Sequence, residues 1–386
     1  MSSIAEAMSF TPRSGEQAEP AAPLNIAHVG DSMEMGGAEK LTATLCRLQR
    51  GRGHNASVHC LYRVGVLGEE LRAEGFEVVL HYPSSFFHLV RSLYRSFRRS
   101  RPDVVHCHNA TAAIMAALPA RLAGVKTVIV TRHGLVRPPY QMRRELKFAL
   151  ASRWCDWIVG VCEGSRTNLQ AAPFAARGKI IHIYNGADPA DVLAVPHPKK
   201  GFTLLHVGRL VPLKDHATLL QALALTRAHH PGVQLWIVGD GPLQASLRTL
   251  TNALQLNECV TFFGERADVS PFLLAADLFV NSSVTEGLPV SLLEAMSVGL
   301  PAVVTDVGGM GEISRLSGAI TLVPSSDPEG MAEALCDAIK SKQKLSTMRN
   351  LASHCYQKYF RPERMLDDYM SLYNHCVSQN QAPQSV

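Results

Sequence analysis

Short runs rich in β-branched and other apolar residues recur along the first half of the chain at 24–29, 56–61, 77–80, 104–107, 127–130 and 157–161. Helix-length segments separate them. The second half repeats the arrangement with runs at 203–207, 234–238, 260–263, 278–280, 302–304 and 319–322. Strands that alternate with helices predict βαβ units, and therefore parallel, doubly wound sheets in an α/β fold. Two such series predict two Rossmann-like domains facing each other across a cleft.

Residues 185–202, NGADPADVLAVPHPKKGF, are rich in Pro, Gly and Asp and hold no sustained period, which is the composition of an interdomain connection. The expected layout is an N-terminal domain over 24–190, a linker over 191–201 and a C-terminal domain over 202–358. Over 359–386, Met365, Tyr369, Leu372 and Tyr373 follow Pro362 at helical spacing. That segment predicts a crossover helix that returns toward the N-terminal domain and ends in a tail. Residues 1–23 lack a basic start and an apolar stretch, and read as a disordered lead-in and not as a signal peptide.

At 386 residues the chain exceeds one ordinary core and suits two domains. With 46% apolar and 18% charged residues, wholesale disorder is excluded. The nine cysteines are odd in number and form no C-x-x-C pair, so neither a disulfide framework nor a zinc site is predicted, and a reducing cytoplasm fits best. No run reaches the ~18 apolar residues that a membrane span requires.

The net charge of +5 is concentrated in the first half. Within 86–101, Phe86, Leu89, Val90, Leu93 and Phe97 share one helical face, while Arg91, Arg95, Arg98 and Arg99 lie mostly on others. Within 137–153, Arg137, Arg143, Arg144 and Lys147 stand beside Tyr140, Met142 and Leu146. Such segments either rest on an anionic membrane or pack one face on a sheet and solvate the other. No nucleic-acid motif accompanies the charge.

Candidate chemistry gathers where strands end. After the run at 203–207, Gly208 and Arg209 lead to Lys214, near which a helix is expected to start; free N–H groups, a dipole end and two cations together suit a diphosphate. Further on, Asn281-Ser-Ser-Val-Thr-Glu286-Gly-Leu-Pro-Val-Ser-Leu-Leu-Glu294 places Glu286 on a loop and Glu294 in a helix opened by Pro289. Glu294, among Leu292, Leu293, Ala295 and Met296, is expected half-buried and in need of donors, which ribose hydroxyls would supply. Gly287 and Leu288 are expected to turn their N–H groups outward. Taken alone, both glutamates could equally be capping or ion-paired residues.

In the first half, Gly36 and Gly37 precede a helix, where bare backbone permits close approach of a ligand. The spacing is not that of a dinucleotide fingerprint, and Gly239 and Gly241 lack its third glycine. His106 and His108 end the fourth run with their side chains on one face and Cys107 on the other. His133 follows the fifth run at the same edge. No D-x-D pair occurs anywhere, so no metal is expected to hold a diphosphate.

Gly208-Arg209 with Lys214, Val238-Gly-Asp-Gly-Pro242, Phe263-Gly264, Ala275-Ala-Asp277, Glu286-x7-Glu294 and Asp306-Val-Gly-Gly309 occur in this order. The chain thereby resembles the retaining glycosyltransferases of the GT-B fold, family 4, closely over 203–323 and more loosely over 24–190. The resemblance implies sugar transfer from a nucleotide diphosphate sugar, UDP- or GDP-linked, without a cofactor, to a hydroxyl acceptor such as a lipid-linked glycan. It implies that Arg209 and Lys214 hold the diphosphate, Glu294 the ribose, and Glu286, Gly287 and Leu288 the transferred sugar. Gly239, Gly241, Gly264 and Arg266 would lie on the base side, and Gly36 and Gly37 beside donor phosphate or acceptor. His108 resembles the family's active-site histidine, and His133 would line the sugar or acceptor pocket. Cell-surface glycan synthesis, in the cytoplasm and peripheral on the inner face of the plasma membrane, is the implied setting. A nucleotide-sugar epimerase of the same plan and a non-catalytic subunit of a polysaccharide assembly complex are the rival readings.

Overall fold

Strands that are hydrogen-bonded in parallel must be joined by crossovers, so each strand of this chain is followed by a segment that covers one face of a sheet. The computed structural model describes residues 22–82 and 85–381, which leaves residues 1–21 of the expected lead-in outside the description. Two compact units emerge, one of Met1–Gly186 with Pro362–Val386 and one of Ala187–Arg361.

The first unit contains β1 (Asn25–Ser32), β2 (Asn55–Arg63), β3 (Glu77–Leu80), β4 (Val104–His108), β5 (Thr127–Arg132), β6 (Trp157–Gly160) and β7 (Ile180–His182). They form one parallel sheet in the order β3-β2-β1-β4-β5-β6-β7. On one face Val29, Val105, Cys107, Val128 and Val130 join Leu89, Leu93 and Phe97 of the helix Phe86–Ser100 and the alanines of the helix Asn109–Leu122 in one core. The alanine face lets that helix approach the sheet closely. Replacing Phe97, which is wholly buried, with Ala would cost about 3–5 kcal/mol. Strand β7 was not foreseen: Ile-Ile-His is too short to show a period.

The second unit contains β8 (Thr203–Val207), β9 (Gln234–Val238), β10 (Val260–Gly264), β11 (Leu278–Asn281), β12 (Ala302–Thr305) and β13 (Ile320–Val323). The order is β10-β9-β8-β11-β12-β13, again all parallel. In each sheet the winding reverses once, between β1 and β4 and between β8 and β11. At such a point the crossovers leave to opposite faces, which opens a crevice beyond the carboxyl ends of the two strands.

The structure divides the chain elsewhere than expected. Residues 191–201 are not a free linker but part of the second unit: the Asp191 N–H donates to Ser270 Oγ at 2.9 Å, and Lys199 Nζ to Asp277 at 2.8 Å. His197 packs its ring among Trp236, Phe263 and Phe272, with centroids 4.9–5.1 Å away. The division falls at 186/187 and 361/362 instead. At the second crossing a π-helical turn, Tyr356–Phe360, runs into an extended Arg361 and the helix Pro362–Gln381. Pro362 has no N–H and disfavours a helical residue before it, so the helix breaks there.

Candidate active site

The second unit builds its site from the loops that follow β8, β9, β10 and β11. The Gly208 N–H donates to the Val238 carbonyl at 3.0 Å, the Leu210 N–H to Asp240 at 2.9 Å and the Gly239 N–H to Gly264 at 2.8 Å, lacing three loops together. Gly239, at φ +140°, lies so close to the Gly208 carbonyl that no Cβ would fit. The glycine is therefore demanded by packing of backbone on backbone. Gly241, Gly264 and the exposed Arg266 share this strand-end edge.

Arg209 is exposed, and its guanidinium has no ion-pair partner among the described residues. Lys214 ends a 3-10 turn, Pro212–Lys214, and its ammonium rests on the Glu286 carboxylate. Ser283 Oγ donates to the same carboxylate oxygen at 2.7 Å. Two further hydrogen bonds hold this arrangement: Ser282 Oγ donates to the Lys214 carbonyl at 2.9 Å, and the Val284 N–H to the Leu213 carbonyl at 3.0 Å. Two loops that the sequence places 72 residues apart thus become one surface at the β8/β11 reversal.

The helix expected near Lys214 begins at His216, and its N-terminus is capped from within. Asp215, at φ +45°, accepts from the Thr218 N–H at 3.4 Å and from Thr218 Oγ1 at 2.8 Å. A carboxylate therefore already meets the positive end of that helix. Gly287 and Leu288 are buried. The Gly287 carbonyl accepts from the Gly309 N–H at 2.8 Å, and Gly308 is held too tightly against the Glu286 carbonyl to admit a Cβ. The following helix is Val290–Ser297, with Pro289 just before it and Glu294 half-buried on it.

Two histidines lie beneath this surface that the sequence did not single out. The rings of His206 and His216 are 4.6 Å apart, and His206 Nδ1 donates to the Val280 carbonyl at 3.0 Å. Burial drives His206 well below its ordinary range and His216 down to about 4. Both rings are neutral near pH 7 and add no charge to that of Arg209 and Lys214.

In the first unit the corresponding place is the β1/β4 reversal. His28, His106 and His108 are buried here on one face of the sheet, His28 and His106 in register. His28 Nδ1 and His108 Nε2 lie 3.0 Å apart, as do His108 Nδ1 and His133 Nε2 at 3.1 Å, and Gln49 Oε1 reaches His28 Nε2 at 2.9 Å. A second line joins Tyr373 Oη to His106 Nδ1 at 2.7 Å, His106 Nε2 to Thr131 Oγ1 at 2.8 Å and Thr131 to Tyr369 Oη at 2.8 Å. The last helix, rooted in Tyr369 and Tyr373, thus closes this polar layer. Nitrogens of His28, His106 and His108 fall within 4.8 Å of one another, close enough to surround a cation. All six are already engaged in these two lines, so the geometry is that of a hydrogen-bonded network.

Asn109 stands just beyond β4 at φ +73°, a conformation Asn tolerates better than most residues, and its Oδ1 accepts from the His133 N–H at 3.1 Å. Asp31, at the end of β1, is half-buried. Burial raises its carboxyl, against a Thr111 hydrogen bond and the Arg144 charge. One of its oxygens is buried without a partner. Sequence reading missed Asp31 and His28; the available signal was a polar residue in the reversal strand. Gly36 and Gly37 do begin a helix, Gly37–Gly51, but the Glu39 carboxylate folds back against Gly36.

Two doubly wound parallel units, one with a cation and carboxylate cluster at its reversal and the other with a histidine network, form the plan of a two-domain glycosyltransferase of the GT-B type. The chain belongs to the group 1, family 4 glycosyltransferases: the model described as "Glycosyl transferases group 1" matches residues 201–341 and that described as "Glycosyltransferase Family 4" matches residues 35–191. It is 26% identical over 244 residues to the Escherichia coli UDP-Gal:alpha-D-GlcNAc-diphosphoundecaprenol alpha-1,3-galactosyltransferase, a match covering 56% of this chain and 61% of that protein. It is 29% identical over 252 residues to one component of the Arabidopsis thaliana phosphatidylinositol N-acetylglucosaminyltransferase, covering 63% of this chain and 55% of that one. The chain therefore spans less than two thirds of the length of these two relatives. HepE from Anabaena, crystallised with UDP, has the same fold at a TM-score of 0.80 and 21% identity, over 91% of this chain and all of that one.

Proposed function

We propose that this protein moves a sugar from a nucleotide diphosphate sugar, UDP- or GDP-linked, to the hydroxyl of an acceptor, without a metal ion. The observation that carries this reading is the meeting of Lys214 with Glu286 beside the exposed Arg209, where the winding of the second sheet reverses. A fork and a point charge suit the two phosphates of a leaving nucleoside diphosphate. Glu294, one helix further, suits the ribose, and Glu286 the hydroxyls of the sugar. With no D-x-D pair in the chain, Arg209 and Lys214 neutralise the charge that develops on the leaving group.

In the proposed step the bond from the anomeric carbon to the diphosphate oxygen breaks. The acceptor oxygen bonds to that carbon from the same face, and its proton passes to the departing phosphate. Configuration is retained. The first unit, with His108 and His133 at its reversal, takes the acceptor side. The Escherichia coli relative is named for a diphosphoundecaprenol acceptor, which favours a lipid-linked glycan here and a peripheral place on the inner face of a membrane. Among the described residues no helix is long and apolar enough to cross a bilayer. Surface composition also favours membrane contact: Phe86, Phe87, Met142, Leu146 and Leu150 are exposed beside arginines of their own helices.

The test is product analysis with UDP- and GDP-sugars in EDTA, with and without lipid-linked and free glycan acceptors. Acceptor-dependent transfer with retained configuration is expected. Acceptor-independent release of nucleotide with an altered sugar would identify an epimerase, and absence of any turnover would identify a non-catalytic binding protein; either result sinks this reading.

A further inference from the structure

From the helix Gly37–Gly51 to the edge of β5 runs one unbroken line of hydrogen bonds, Gln49 to His28, His28 to His108 and His108 to His133. Gln49 and His28 have no exposed surface, and His108 has 5%. The line stops at His133 Nδ1, which is buried and has no partner. An amide oxygen can only accept, so with the Gln49 amide placed as in the structure, Oε1 toward His28 and Nε2 buried without a partner, Oε1 takes the N–H of His28 Nε2. A neutral imidazole has one N–H, so His28 Nδ1 must accept from His108 Nε2, and His108 Nδ1 must accept from His133 Nε2. The last ring is left with a lone pair at Nδ1.

Such a line requires neutral rings, and burial supplies them, holding His28 and His133 at about 4 and His108 well below its ordinary range. Around the line stand His106 on β4, Thr131 on β5, Tyr369 and Tyr373 on the last helix and His59 on β2. The ring of His106 discourages further protonation of His108.

We propose that Gln49, His28 and His108 are positioning residues that fix the tautomer of His133, so that its Nδ1 accepts a hydrogen bond from a substrate hydroxyl. His108, with both nitrogens spent inside the protein, acts through His133 and not on the substrate itself. The proposal rests on the glycosyl-transfer reading for its substrate, while the tautomer can be read without any turnover.

The experiment uses the full chain labelled with 15N-histidine, in which two-bond proton–nitrogen correlations distinguish the tautomers. His28, His108 and His133 are all expected as Nε2–H. Gln49→Leu is expected to leave His133 divided between both tautomers, and Gln49→Glu, whose carboxylate also only accepts, to restore one. A native His133 bearing its proton on Nδ1, or a Gln49→Leu spectrum unchanged, overturns the relay, whether or not the chain proves to be a transferase. In kinetics Gln49→Leu is expected to lose about tenfold in kcat/KM, the worth of one hydrogen bond, and Gln49→Glu to recover it. A KM change for donor alone assigns the hydroxyl to the sugar, and for acceptor alone to the acceptor. If Gln49→Leu fails to fold, the native spectrum still decides, because a His133 bearing its proton on Nδ1 contradicts the relay.

Discussion

Lys214 balances the Glu286 carboxylate in the structure described, and under the proposed function the same ammonium would also meet the donor diphosphate. Lys214→Ala is expected to cost about 1.5–3 kcal/mol of nucleoside diphosphate affinity in calorimetric titration, one charge-assisted contact. An unchanged affinity would remove Lys214 from the site. At this scale the sequence was legible where motifs are local. Gly208, Arg209, Lys214, Glu286 and Glu294 could be named from their order along the chain, and the structure sets Lys214 against Glu286. His28 and Gln49 could not be, because a relay through residues 21 and 80 positions apart leaves no local spacing. The burial of Gly287 and Leu288 was likewise hidden, since it follows from Gly308 and Gly309 packing across the loop.

Elements were legible to the extent that their periods were long. Twelve of the runs named from sequence became strands within a few residues, because a buried parallel strand needs nothing from distant sequence to look apolar. Residues 191–201 misled for the opposite reason: Pro-rich and aperiodic, they are fastened by His197 and Lys199 to partners far along the chain. Asp215→Ala, which removes the cap of the helix His216–His229, is expected to destabilise the second unit by about 1 kcal/mol in urea denaturation followed by Trp236 emission in a Trp154→Phe, Trp157→Phe background. No change would show the cap to be idle. In the helix Phe86–Ser100, Leu89, Leu93 and Phe97 are buried, while Phe86, expected on their face, stays exposed with Phe87. Phe87→Ser with Leu146→Ser is therefore expected to lower binding to vesicles of anionic phospholipid several-fold in co-sedimentation, and equal binding would leave these segments as ordinary surface.

For the molecule as a whole, the buried histidines make stability depend on pH. His28, His81, His133 and His216 are held near 4 and His59 near 3, against 6.5 in the unfolded chain. The unfolded state thus binds more protons through that window. Stability is full above about pH 6.5 and falls as pH drops toward 4, by roughly 1.4 kcal/mol per pH unit for each ring that stays neutral. Thermal midpoints from pH 8 to pH 4.5 check this, and a flat profile would mean the rings take up protons without unfolding.

Binding of a nucleoside diphosphate to the second unit through Arg209 and Lys214 without a metal, as proposed, is tested by thermal shift with UDP, GDP and ADP in EDTA and then in Mg²⁺. A ligand of the native state raises the midpoint by mass action. A rise with one of these nucleotides that EDTA does not abolish and that Lys214→Ala diminishes is expected; no rise with any of them, or a rise only in Mg²⁺, would rule out this binding mode.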